Sequence, residues 1–294
     1  MHYLITGATG LVGRAFIQSL NPETNKVTYL AHRKTDLPDF CQPLRSFAEI
    51  DSSMQFDVVL NLAGMPIDCL WSESNKTKLR DSRIALTSNL IDALKTLEKP
   101  PKLMLSASAV GIYGTGDGQD LIDEKSPVRN PSFASKLCTD WENTAKLAED
   151  FGCTVMLMRI GVILSAKGGM IKKVRLPYQF GMGGRIGSGE QILPWVHIDD
   201  MIGACQHLIK QPKAGIYNIS APCKTSQAEF NDQLGQLLQR PTFGNLPACV
   251  IKMIFGQMGE ELLLSSCHAY PQALLSAKYE FKQPELRKAL QACL

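Results

Sequence analysis

Three glycines at a spacing of three, Gly7, Gly10 and Gly13 in ITGATGLVGR, are the residues of this chain that point most directly to chemistry. Glycines so placed let a chain turn tightly, let backbone approach a pyrophosphate, and let a helix start close against a sheet. The helix start then offers free N–H groups and a positive dipole end to phosphate. Gly7, Thr9, Gly10, Leu11 and Gly13 are therefore the expected phosphate-binding residues of a dinucleotide site; the alternative is a turn that is merely tight. The residues after the second apolar run, His32, Arg33 and Lys34, bear on which dinucleotide. A carboxylate there accepts from a ribose 2′-OH, whereas a cation suits a 2′-phosphate. No carboxylate appears before Asp36, Arg33 offers a planar fork, and Arg14 is a second cation just past the glycines. NADP(H) is the expected cofactor, held in part by His32 and Arg33, against the alternative of a solvated basic loop.

Such residues need a strand before them and a helix after them, and the pattern supplies both. Residues 3–6 read as a strand, 11–20 as a helix with apolar positions three and four apart, and 27–31 as another strand. A polar, Pro-containing stretch follows, then the apolar run 58–60, one long helix over 76–97, a strand at 103–106, a helix over 135–151 and a strand at 155–159. Short apolar runs alternating with helices mean parallel strands joined by right-handed crossovers, covered on both faces. The fold class is α/β, a doubly wound parallel sheet of the Rossmann type. The expected division is a cofactor domain over 1–167, with elements returning at 196–220, and a substrate-side segment over 168–294. A mostly helical C-terminal domain begins at about 246.

The composition fits an ordinary globular chain of 294 residues, 45% hydrophobic and 20% charged. A net charge of +3, without a basic run, gives no reason to expect nucleic acid. No apolar stretch approaches the roughly 18 residues of a membrane span, and the strand-like start leads to the expectation of no signal peptide. Nine scattered cysteines with no CxxC pair read as reduced thiols in a cytoplasm, and five histidines without HxxxH or HExxH spacing make a metal site unexpected.

The spacing TGxxGxxG resembles the short-chain dehydrogenase/reductase superfamily in its extended, epimerase-like branch, as do NLAG at Asn61–Gly64 and WVHIDD at Trp195–Asp200. KLCTDWE, the block GMGGRIGSGEQILPWVHIDDM, and a tail with GE, LLLSS, YPQALL and PELRKAL narrow it. The whole chain resembles the YfcH-like epimerase family, whose members carry a small C-terminal domain of unknown function. The resemblance implies that backbone at Asn61, Leu62, Ala63 and Gly64, and again at Gly161, Val162 and Ile163, passes the cofactor. It also implies a small-molecule substrate and a homodimer as a candidate assembly.

In that superfamily a Tyr exchanges the proton, a Lys four residues later binds the nicotinamide ribose, and a Ser or Thr polarises the substrate carbonyl. The resemblance puts Ser108 in the Ser role, with Ser106 beside it, and Lys136 in the Lys role. Ser132 and Phe133 stand where the Tyr belongs, so the tyrosine is absent, a gap the family shares. Tyr113 is the nearby phenol and the candidate substitute. Without a proton donor, the rival reading is an NADP(H)-binding sensor that never turns over. RIALT sets Arg83 where the branch has an active-site Asn, and the expectation is that Arg83 meets a cofactor phosphate or ribose, or a substrate anion. The alternative is a surface arginine on a basic helix.

On the substrate side, Gly181, Gly183, Gly184, Gly187 and Gly189 make a loop that either covers the substrate or is a bare hairpin. Trp195 is expected to line the pocket and Arg159 to end a strand at the cofactor edge. Trp141 and Glu142 read as helix packing and a surface pair. His197, Asp199 and Asp200 read mostly as a cap and anchor for the next helix.

Overall fold

The computed structural model describes residues 1–31, 36–116 and 120–294. The first half runs β1 (His2–Thr6), α1 (Leu11–Gln18), β2 (Lys26–Leu30), β3 (Cys41–Leu44), β4 (Val58–Asn61), α2 (Glu73–Arg80), α3 (Leu86–Lys95), β5 (Leu103–Ala109) and β6 (Leu121–Ile122). The second adds α4 (Phe133–Lys146), β7 (Thr154–Ile160), β8 (Val162–Ser165), α5 (Gly169–Gln179), β9 (Trp195–His197), α6 (Ile198–Lys210) and β10 (Gly215–Ile219). It closes with α7 (Gln227–Leu238), α8 (Ala248–Leu262), β11 (His268–Ala269), α9 (Gln272–Ser276) and α10 (Leu286–Gln291).

The main sheet has the order β10-β7-β5-β4-β1-β2-β3, parallel throughout. Alternation sends Tyr3 and Ile5 of β1 to one face, against Phe16 and Ile17 of α1 and Met201 and Leu208 of α6. Leu4 goes to the other, with Leu90, Ile91 and Leu94 of α3. Both faces are buried, which is why these strands read as continuous apolar runs. The order in which strands are added switches sides between β1 and β4, and the crevice at their carboxyl ends is where such sheets take ligands.

Two elements depart from the sequence expectation. The long helix over 76–97 is divided by a π-helical turn at Asp81–Ala85 between α2 and α3. The polar stretch after β2 contains β3, an edge strand, where Pro43 costs no ladder bond on the open side.

The C-terminal segment is tied back by carboxylates that each accept more than one backbone N–H. Asp200 on α6 takes the N–H groups of Lys282 and Gln283 at 2.6 and 2.9 Å and the hydroxyl of Tyr279 at 3.0 Å. Glu124 takes those of Asn218 and Ala273 at 2.9 and 3.1 Å. A short parallel pairing of β6 with β11 adds to these. Among the described residues no helix is long and apolar enough to cross a membrane.

Candidate functional site

The glycine turn leaves β1 and enters α1 at the crevice. Gly7 has φ +72°, and a Cβ there would lie 2.7 Å from the carbonyl carbon of Leu62 and 2.8 Å from the nitrogen of Ala63. A Cβ on Gly13 would come within 2.6 Å of Cα of Ala8, so glycine is what lets α1 pack this close. Thr9 and Gly10 are exposed and Leu11 is half-buried. Gly10 begins α1 without a side-chain cap, and no acidic residue stands in the first turn. The helix dipole and its first N–H groups therefore face the crevice unneutralised, a cradle that fits phosphate oxygens.

A buried polar chain holds this turn. Thr6 donates to Oδ1 of Asn61 at 2.8 Å and accepts from the N–H groups of Leu62 and Ala63, both at 3.2 Å. The Asn61 amide donates to Thr87 at 2.8 Å and Ser106 at 3.0 Å, and Trp141 donates to Thr87 at 3.1 Å. Asn61 is thus spent inward, and its loop offers the crevice only backbone from Leu62 to Gly64. Across from it, Gly161 accommodates the carbonyl of Pro194 at 2.9 Å from its Cβ position, and Val162 and Ile163 pair with Trp195 and Val196 in β9. Leu11 packs against the Gly168–Gly169 bend, 3.2 Å from the Cβ position of Gly168.

His32 and Arg33 lie outside the described residues. Arg14 is within them: its Nε donates to the carbonyl of Thr9 and its Nη1 to that of Asp36, both at 3.0 Å. One guanidinium therefore spans from the glycine turn to the chain beyond β2.

Ser108 sits in the last turn of the β5 ladder, directly opposite Arg159 of β7, and is buried. Its hydroxyl donates to Oε1 of Glu142 at 2.7 Å, while Arg159 grips the same carboxylate through Nε at 2.8 Å and Nη2 at 2.9 Å. Glu142 is 4% exposed, which corrects the surface pair expected of it. The signal was present: position 142 shares the helical stripe of Cys138 and Ala145, both buried. Burial disfavours the Arg159 charge, but the hydrogen bonds and field of Glu142 outweigh it and its pKa is raised.

Tyr113 is 2% exposed. Its hydroxyl donates to Oδ1 of Asn218 at 2.6 Å and its ring lies 5.0 Å from the Arg159 guanidinium. Burial pushes that phenol up to about 12, so it is fixed in the interior with its proton committed. Ser132 is the N-cap of α4. Its Oγ accepts from the N–H of Ser135 at 3.3 Å while the Ser135 hydroxyl accepts from the N–H of Ser132 at 2.7 Å, a reciprocal capping box. Phe133 packs edge-on against Trp71. Lys136, one turn on, is exposed, and its ammonium makes no ion pair or hydrogen bond among the described residues.

The structure thus sets the glycine turn against the 62–64 backbone and, through Leu11, against the bend after β8, and buries Ser108 and Tyr113. Trp195, expected at the pocket, is 1% exposed and donates to Thr225 at 2.9 Å; it belongs to the core. His197 caps α6 by accepting from the N–H of Asp199 at 3.2 Å. The glycine loop is bridged to the C-terminal side at Met182–Thr242 and Ile186–Leu246.

Glu261 of α8 had no sequence signal. Its two oxygens accept from the N–H groups of Phe133 at 3.2 Å and Ala134 at 2.9 Å, so the C-terminal segment caps the very helix that carries Lys136. Thr6 was likewise unmarked, although it directly precedes the first glycine, and Thr87 was marked only as the threonine that closes RIALT.

Residues 3–220 match the NAD dependent epimerase/dehydratase family, and residues 246–293 match a domain of unknown function, DUF1731. The chain is 32% identical over 298 residues to epimerase family protein SSP1921 of Staphylococcus saprophyticus, over 99% of this chain and 98% of that protein. It is 31% identical over 302 residues to the chloroplastic epimerase family protein SDR39U1 homolog of Arabidopsis thaliana, over 99% and 86%. The crystal structure of human epimerase family protein SDR39U1 (isoform 2) with NADPH superposes with a TM-score of 0.90 at 32% identity, over 100% of this chain and 99% of that one.

Proposed function

The chain belongs to the NAD dependent epimerase/dehydratase family, and on that premise we propose that it is an NADP-dependent oxidoreductase or epimerase of the extended short-chain type, acting on a carbonyl or sugar-nucleotide-like small molecule. The observation that carries this reading is the open start of α1, lined by glycine and free of any side-chain cap or acid. NADPH in the similar human protein supports the phosphorylated form, as does Arg14 beside the glycine turn. A cytoplasmic location accords with the free thiols.

In this reading the cofactor half spans 1–167 with 196–220, and the substrate side spans 168–294. NADP(H), when bound, supplies or accepts a hydride at its nicotinamide. The first turn of α1 with Gly7, Thr9, Gly10, Leu11 and Gly13 holds the pyrophosphate, and Arg14, with His32 and Arg33, holds the 2′-phosphate. Leu62–Gly64 and Gly161–Ile163 wall the nicotinamide half, and the exposed ammonium of Lys136 binds ribose hydroxyls. Ser108 and Tyr113 set the frame beneath, through Glu142, Arg159 and Asn218.

A second reading is a sensor that binds NADP(H) without turnover. It is favoured by one observation: the hydroxyls of Ser108 and Tyr113 donate to internal acceptors, and that of Ser132 serves a helix cap. Thermal melts with NADPH, NADP⁺, NADH and NAD⁺ test the shared premise. A ligand at a hundred times its Kd adds about 2.7 kcal/mol, worth roughly 2–4 °C per kcal/mol in a chain of this size. A shift with the phosphorylated pair alone is expected, reduced in Arg14→Gln; no shift with any nucleotide overturns both readings. Oxidation of bound NADPH by any of a carbonyl panel then separates enzyme from sensor.

A further inference from the structure

Two segments of the C-terminal half, 169–185 and 240–254, hold six cations and no carboxylate: Lys172, Lys173, Arg175, Arg185, Arg240 and Lys252. Six of the 31 basic residues and none of the 28 acidic ones fall there, so a chain of net charge +3 is net −3 over everything else. The same segments carry Leu176, Phe180, Met182, Phe243, Met253 and Ile254, exposed from 51% at Ile254 to 85% at Phe243. Among the described residues these are more than half of the large apolar side chains that stand in solvent. A single exposed Leu or Phe is ordinary, but a group of them set among cations marks a surface of interaction.

The fold brings the two segments together. Met182 bridges to Thr242, the N–H of Gly244 donates to the carbonyl of Gly183 at 2.9 Å, and that of Leu246 to the carbonyl of Arg185 at 2.8 Å. Phe180, Met182 and Phe243 thus lie on one paired loop, with Leu176 one turn back on α5. The first residue of α8 stands beside it, since a Cβ on Gly187 would lie 4.0 Å from Cβ of Ala248. Gly256, in the left-handed region at φ +55°, then breaks α8 between exposed Met253 and Ile254 and buried Met258. Lys173, Arg185 and Lys252 pair with carboxylates from outside the two segments, those of Asp68, Asp232 and Glu260. Lys172, Arg175 and Arg240 make no ion pair among the described residues.

We propose that this face docks on an anionic phospholipid bilayer, its apolar side chains inserted at the headgroup boundary and Lys172, Arg175 and Arg240 held to lipid phosphates. Docking is peripheral, since among the described residues no helix is long and apolar enough to cross. Positive charge on the face and net negative charge elsewhere orient the protein, and each cation near the anionic surface adds an attraction that salt screens. A second copy of the chain fits less well: a two-fold contact sets these cations against themselves, with no carboxylate in either segment to answer. The apolar side chains, each more than half exposed, protrude, which suits a fluid boundary that closes round them. The proposal goes beyond the NADP(H) reading and does not depend on it. Under that reading, the docked protein turns its substrate side to the bilayer.

The test is flotation of the full chain with vesicles of phosphatidylcholine alone, and of phosphatidylcholine and phosphatidylglycerol in equal parts. Binding to the anionic vesicles is expected, with little to the neutral ones, and it weakens as salt is raised. The triple variant Lys172→Gln, Arg175→Gln, Arg240→Gln and the double variant Phe180→Ser, Phe243→Ser each lower the partition constant by about tenfold or more. Leu147→Ser, at an exposed apolar position outside the two segments, leaves it unchanged. Absence of binding to anionic vesicles overturns the proposal, as does equal binding to neutral ones or binding that neither multiple variant reduces. A concentration-dependent dimer that the Phe180→Ser, Phe243→Ser variant dissolves, with no vesicle binding by wild type, assigns the face to a second copy and overturns it too. Should the variants fold poorly, wild type answers through Cys249, exposed in the same face near the start of α8. A polarity-sensitive dye on that thiol is expected to shift to the blue with anionic vesicles alone, and unmoved emission overturns the docking.

Discussion

Ser108 of β5 and Arg159 of β7 are register partners in the sheet, and both reach across to one buried carboxylate, that of Glu142. The pairing makes the serine hydroxyl one arm of a buried ion-pair network. It also explains how an arginine is tolerated inside the sheet, since its charge is matched by two hydrogen bonds to one acid.

Removing the acid leaves Arg159 buried and unpaired. Glu142→Ala is expected to lose about 3–5 kcal/mol, whereas Ser108→Ala loses about 1.5–3 kcal/mol, one hydrogen bond to a charged group. Urea unfolding measures both, and a double-mutant cycle between them should show coupling. A Glu142→Ala chain as stable as wild type would remove the network from the account.

Gly13→Ala tests the close approach of α1 to the turn. The new methyl would lie 2.6 Å from Cα of Ala8, so the helix start must move away. Titration of NADPH is expected to show an affinity loss of about tenfold or more, together with a lower melting temperature. Retained affinity would mean that the turn does not position the phosphate cradle.

Glu261→Gln tests the tie between the C-terminal segment and α4. The amide accepts through only one oxygen, so one of the Phe133 and Ala134 N–H groups loses its partner. The expected cost is about 1–3 kcal/mol, with faster hydrogen exchange confined to those two amides and α8. Exchange unchanged at both would show that water replaces the carboxylate there.

His197 gives the chain an acid-side weakness. Burial lowers its pKa below the ordinary 6.5, against the opposing fields of Asp199 and Asp200, and its Nδ1 must stay unprotonated to accept from the Asp199 N–H. The unfolded chain therefore takes up the proton first as pH falls, so stability is held above about 6.5 and lost progressively below it, down through the folded pKa. His197→Asn keeps a capping acceptor and removes the titration. Melting temperature against pH is expected to be flatter for the variant over that window; parallel curves would place the acid loss elsewhere.

The sequence reached the glycine turn, the alternation of strands and helices and the parallel sheet because each is local. Gly7, Gly10 and Gly13 declare themselves within seven residues, and a strand buried on both faces must be an apolar run. Local pattern also misled: a Pro in an edge strand hid β3, and steady helical periodicity hid the π turn at Asp81–Ala85, since one extra residue barely disturbs a 3.6-residue repeat.

What a side chain faces is set by partners far along the chain, and only the tertiary structure decided it. Ser108 meets Glu142 from 34 residues away, Tyr113 meets Asn218 from 105, and Glu261 reaches Phe133 from 128. A serine at a strand end reads the same whether its hydroxyl opens on a crevice or closes on a buried acid. Arg83 and Arg159 likewise read alike as arginines; packing gave Arg159 the Glu142 carboxylate and Arg83 the carbonyls of Met65 and Leu79. The sequence by itself determined the frame and the glycine turn, because backbone conformation follows from neighbouring residues. The assignment of polar groups to structure or to ligand waited on the fold, because hydrogen bonds and ion pairs are made in space.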